Sequence, residues 1–183
     1  MKFRVPTAVG QRAPSAVRQR VPGERVLAWM PVGESSLVAT ETALVLPAES
    51  PSSAPSGTPD ALATDATRVP WDRVLRASWE PEIVEVTAQS AGGGRPAVYR
   101  VRIDTDPGVL PEVVRERVTA SIVVQHHAVL DGDRGARFIA RRVPGTTDLR
   151  WSVVFDPGLD PTDPALRDAA DEVLTTLRTS LGI

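Results

Sequence analysis

Three phrases near the start of the sequence restrict its architecture most: Arg25-Val26-Leu27-Ala28-Trp29, then Leu37-Val38-Ala39-Thr40-Glu41-Thr42-Ala43-Leu44-Val45-Leu46, then Val69-Pro70-Trp71-Asp72-Arg73-Val74. Each is a short, β-branched apolar run bounded by turn-forming or proline-containing residues, which is strand length rather than helix length. Thr40-Glu41-Thr42 is too short to bridge anything but neighbouring antiparallel strands. The pattern predicts a sheet over 25–31, 36–40 and 43–47, continued by strands at 73–79, 83–88 and 97–103.

Further along, Gly92-Gly93-Gly94 suits a hairpin tip, where positive φ is tolerated. A phosphate-binding glycine loop would open a helix at once, and here a strand pattern follows. Glu85 is expected beside Arg100 or Arg102 on the solvent face. Pro107-Gly108 ends the sheet, and a helix is expected over 110–119, with Glu112 in its first turn and Leu110, Val114 and Val118 on one face. A β-rich stretch from Ser121 to Val129, the turn Asp131-Gly132-Asp133, and strands at 135–142 and 149–155 joined through Pro144-Gly145 form a meander. Asp163-Pro164 caps and opens a final amphipathic helix whose stripe is Leu166, Ala170, Val173, Leu174, Leu177 and Leu181.

Composition sets limits on function. The 21 basic and 23 acidic residues of this 183-residue chain give no cationic field to hold nucleic acid or an anionic membrane. No cysteine means no disulfide, thiolate metal site or cysteine nucleophile. No apolar run approaches the ~20 residues that cross a bilayer, so a cytoplasmic protein is expected. Residues 1–23 carry Lys2, Arg4, Arg12, Arg18 and Arg20 with no acid, and read as a disordered basic tail. The Ser- and Pro-rich segment at 48–67 reads as a disordered loop within a single domain spanning 24–183.

Residues that could carry chemistry are few. His126 and His127 are the only histidines, and neighbours on a strand point to opposite faces, so they cannot readily share one ion. The acidic groups Asp104 and Asp106, Asp131 and Asp133, and Asp156, Asp160 and Asp163 read as turns and a cap rather than cation loops. No nucleophile elbow, dinucleotide fingerprint, Walker sequence or zincin helix occurs. No catalytic residue, cofactor or metal is therefore assigned. Arg134, Arg137, Arg141, Arg142 and Arg150 gather on one hairpin, and alternation separates Arg137 and Arg141 from Arg142. Of these, Arg137, Arg141 and Arg142, with Trp71 at the mouth of the long loop, are the candidate partner-binding residues. All four tryptophans, Trp29, Trp71, Trp79 and Trp151, are expected in the core, with partial exposure and partner contact as the alternative for Trp71.

The three opening phrases resemble the first half of bacterial PH-like domains. From Gly23 onward the chain is also similar to uncharacterised actinobacterial proteins, through Pro111-Glu112-Val113-Val114-Arg115-Glu116-Arg117-Val118-Thr119-Ala120-Ser121 and Trp151-Ser152-Val153-Val154-Phe155-Asp156-Pro157-Gly158-Leu159-Asp160. The PH-like resemblance implies an α+β fold, mainly antiparallel: a curved sheet or barrel closed by the C-terminal helix. The function expected is a noncatalytic adaptor that binds protein. The alternatives are anionic lipid or small-ligand binding, and an enzyme using a histidine with a carboxylate.

Overall fold

Leu37, Val38 and Ala39 are apolar in succession, which suits a strand covered on both faces. The computed structural model, which describes residues 13–47, 67–90 and 96–182, places them in such a strand. A short helix α1 (Ser15–Arg20) precedes an antiparallel sheet of β1 (Val26–Val32), β2 (Ser35–Thr40), β3 (Ala43–Val45) and β4 (Arg68–Pro70), hydrogen-bonded in that order. A second antiparallel sheet orders β5 (Val74–Trp79), β6 (Ile83–Ala88) and β7 (Ala97–Arg102), and is followed by α2 (Leu110–Ser121). The fold is α+β and mainly antiparallel. The described strands form three separate sheets and no closed barrel.

The chain divides into two compact units, Met1–Ser121 and Ile122–Ile183, where a single domain over 24–183 was expected. In the first unit, Ala28, Met30, Leu37, Ala39, Leu44 and Trp71 meet Val74, Val84, Val86, Val101 and Ile103 in one core. Leu110 and Val114 of α2 complete it, and the helix packs against β1, β2 and β5. The alternation is clean in β6, where Val84, Val86 and Ala88 are buried while Ile83, Glu85 and Thr87 are only partly so. On its solvent side Arg100 Nε donates to Glu85 Oε2 at 2.9 Å, one of the two cross-strand pairs expected from the sequence.

The N-terminal expectation is corrected in part. Residues 1–12 lie outside the described residues, but Ala13, Val17 and Val21 are buried against Val38 and Val45, so 13–23 is no free tail. Their i, i+4 spacing needs only an apolar partner to become a helix, and the outward side of β2 and β3 supplies one. Glu24 then clasps the sheet: its carboxylate accepts from Thr40 Oγ1 at 2.6 Å and from Thr42 Oγ1, and pairs with Arg68. Burial pushes the Glu24 carboxyl up, but the hydrogen bonds from Arg68, Thr40 and Thr42, with the Arg68 charge, hold it below the usual range. The 48–67 loop and the Gly92–Gly94 tip fall, apart from Thr67, on residues outside those described.

The second unit is the meander β8 (Ile122–Asp131), β9 (Arg134–Arg142) and β10 (Leu149–Phe155), with β9 central, followed by α3 (Pro164–Leu181). Asp163 caps α3 by accepting from Ala165 N at 2.9 Å. Ala170, Val173, Leu174 and Leu177 pack on Ala136, Phe138, Trp151, Val153 and Phe155. Two expectations change here. Leu181 is 43% exposed, so the stripe ends before it. The helix that covers the core of the first seven strands is α2, and α3 belongs to the core of the meander.

Candidate functional site

The four residues singled out from sequence do not form one site. Trp71 is 3% exposed; its Nε1–H donates to Thr40 O at 3.0 Å inside the first core. An indole held this way cannot meet a partner, and Trp71 is a core residue. Arg141 is 4% exposed, so its guanidinium is not a solvent-facing contact either. Arg137 and Arg142 are exposed, on opposite faces of β9. Arg142 lies at the strand end across from Leu149, and Arg137 lies between Val154 and His127 on the neighbouring strands.

That row contains a pairing that sequence left open. His127 and Asp156 are 29 positions apart, yet His127 Nε2 faces Asp156 Oδ2 at 2.8 Å. A carboxylate can only accept, so Nε2 carries the proton and Nδ1 is left to face elsewhere. The same oxygen accepts from Gly135 N at 2.7 Å. The hydrogen bond from His127 first, then that from Gly135, hold the Asp156 carboxyl below its ordinary range of 3.8; a small desolvation push opposes them, and the charges of His127 and Arg137 add to them.

The sign of the pH effect follows. A carboxyl whose folded pKa is depressed stabilises the fold above its unfolded pKa and loses that contribution as pH falls through the folded value. The urea midpoint of the wild type is expected to decline on acidification below about pH 4, more steeply than that of Asp156→Asn. Parallel declines would mean that the carboxyl makes no differential interaction in the folded state. The dyad lies on an open sheet face, and His126, across from Phe138, takes no part in it. Asp160 is committed to its own turn by accepting from Thr162 N and Oγ1, which lowers its carboxyl too. Among the described residues no group of three or more histidines and carboxylates could hold a metal ion.

A better-formed site lies where sequence pointed to none. Among the described residues, β5 has a hydrogen-bonded neighbour on one side only, β6. Beside it, Ala77 and Trp79 of β5 and Pro111, Val114 and Val118 of α2 line an apolar groove of about 490 Å³. Arg76 and Arg115 reach into its lining with Glu112 and Thr119. Both arginines are exposed, and neither makes an ion pair among the described residues. The groove arises because the stripe Leu110, Val114 and Val118 sinks its first two members into the core and leaves Val118 half-covered at the margin. A second hollow, beside Gly33, Glu82, Arg102, Asp104 and Asp106, is wider and polar. No helix among the described residues is long and apolar enough to cross a membrane. No family model, curated protein or solved structure matches this chain.

Proposed function

We propose that the chain is a noncatalytic, cytoplasmic protein-binding module whose first unit takes an extended peptide beside β5. The observation that carries this reading is the groove between β5 and α2. It combines a strand edge with no neighbour among the described residues, an apolar floor and a basic rim. Main-chain hydrogen bonds from a sheet edge give affinity without sequence demands, while side-chain pockets beside it select residues. Trp79 and Val118 select an apolar side chain, and Arg76 and Arg115 against the single Glu112 favour a nearby carboxylate. The volume lies within the range of about 300–1,000 Å³ usual for ligand sites. The PH-like resemblance of the opening phrases favours binding by analogy alone.

The reading is tested by selecting peptides from a random displayed library against the full chain. Selected peptides are expected to carry an apolar residue next to Asp or Glu. The Arg76→Glu/Arg115→Glu variant should bind them on the order of tenfold more weakly, chiefly through a slower on-rate, and with less dependence on salt. Peptides that bind the variant and the wild type alike would sink this assignment.

A further inference from the structure

The outward side of the β1–β3 sheet is apolar where an uncovered sheet face would be polar. Val38 and Val45 are 0% and 2% exposed, and Val26 and Trp29 pack beside them. What covers them is α1 with its flanks: Ala13, Val17 and Val21, one helical turn apart in sequence. Arg20 anchors the segment across the sheet. Its Nη1 donates to Ser36 Oγ at 2.8 Å and to Ser36 O, and its Nη2 donates to Leu46 O at 2.8 Å.

The seat is better than its occupant. α1 has six residues, a proline at the N-cap with no side-chain cap, and no acid in its first turn. Helices this short do not persist alone, so its order depends on the contacts just named. Its fit also leaves a polar mismatch, because Trp29 Nε1 is buried with no hydrogen-bond acceptor among the described residues. A buried donor left unanswered weakens the assembly that buries it, and an occupant offering an acceptor there would gain what α1 lacks.

We propose that the outer face of β1–β3 is a docking site for an amphipathic helix of a partner protein, with α1 as its resident competitor. The partner helix carries apolar residues at i and i+4 to fill the places of Val17 and Val21. It carries an arginine at i+3 for the Ser36 and Leu46 carbonyls, and an acceptor side chain for Trp29. This surface is distinct from the β5–α2 groove and does not depend on it.

The test uses the full chain with Val17→Asp and Val21→Asp, which unseats α1, and a fluorescent synthetic peptide of residues 13–23 as probe. Fluorescence polarisation is expected to show the peptide binding the variant at least tenfold more tightly than the wild type, whose site is filled. A peptide carrying the Arg20→Ala change should bind the variant at least tenfold more weakly than its parent. Equal binding to variant and wild type, or indifference to that change, would overturn the proposal.

Because two buried aspartates could unfold the protein, a milder variant gives a second reading. In the full chain, Arg20→Ala should speed amide exchange at residues 15–21 at least tenfold while β2 and β3 stay protected. Exchange at 15–21 that is as slow as in β2, and unchanged by Arg20→Ala, would refute a displaceable α1. Wild-type dimers that form at high concentration and dissolve in excess peptide would give the site to a second copy's α1 and overturn the partner assignment.

Discussion

Trp71→Ala is expected to destabilise the protein by about 3–5 kcal/mol, the range for removing a large aromatic from a packed interior. Trp71 is 3% exposed and lies among Leu44, Val69 and Val74, so the substitution both returns apolar surface to water and leaves a void. The side chain also has a polar role. Its Nε1–H reaches Thr40 O, at the turn from β2 into β3, from 31 positions away. Trp71→Phe keeps most of the bulk and strands that carbonyl, which costs about 1–3 kcal/mol. Urea unfolding followed by circular dichroism should therefore rank wild type, Trp71→Phe and Trp71→Ala in that order. The exposed Val129→Ala should stay within about 0.5 kcal/mol of wild type. A loss below 1 kcal/mol for Trp71→Ala would return the residue to the surface.

The strands were legible because their signals are local. Period-two burial in Ile83–Ala88, the Thr40-Glu41-Thr42 reversal and the Asp131-Gly132-Asp133 turn all act within a few residues, and the ladders run where those signals put them. Hairpin register narrowed the partner of Glu85 to Arg100 or Arg102, and the ladder pairs it with Arg100. Position across the chain was less legible. Two amphipathic helices could have covered the first sheets, and neither stripe says which core it joins; Leu110 and Val114 filled that place, while Ala170 and Leu174 joined Phe138. α1 was hidden because its spacing spans barely two turns without a cap. The signal for it sat elsewhere, in the outward-facing Val38 and Val45, which needed a cover.

The binding residues were harder still, since exposure is a tertiary property. Alternation assigns Arg137 and Arg141 to one face, but of the two only Arg137 is open to solvent. Trp71 follows a long Ser- and Pro-rich segment, which left partial exposure open as an alternative to a core place; its ring turns inward. The β5–α2 groove joins residues 76–79 to 111–119, and nothing in either segment announces the other. Its one sequence-level trace is Val118, a third member of a stripe that a twelve-residue helix buries only in part.

Gly135→Ala should be the most damaging single methyl addition in the second unit. A Cβ at Gly135 would lie 1.8 Å from Ala128 O, 2.7 Å from Ala128 C and 2.8 Å from Val129 Cα. These are backbone atoms of the paired strand, so no rotamer change relieves the overlap and β8 must move away from β9. The contact falls where Val129 pairs with Gly135, next to the register shift between Val129 and Asp131. Gly135 also donates to Asp156 and accepts from Asp156 N, so displacement loosens the His127 dyad as well. A loss of about 3 kcal/mol or more is expected, at or above the top of the usual overpacking range. Gly132→Ala is the control: φ is +60° there and no heavy atom lies within 4 Å of the added carbon, so its cost is backbone strain of about 1–2 kcal/mol. Stability should fall much further at 135 than at 132. The acid dependence contributed by Asp156 should shrink with Gly135→Ala and survive Gly132→Ala, because only the former disturbs a donor to that carboxylate. Equal losses at the two glycines would mean that β8 and β9 are farther apart than this register allows.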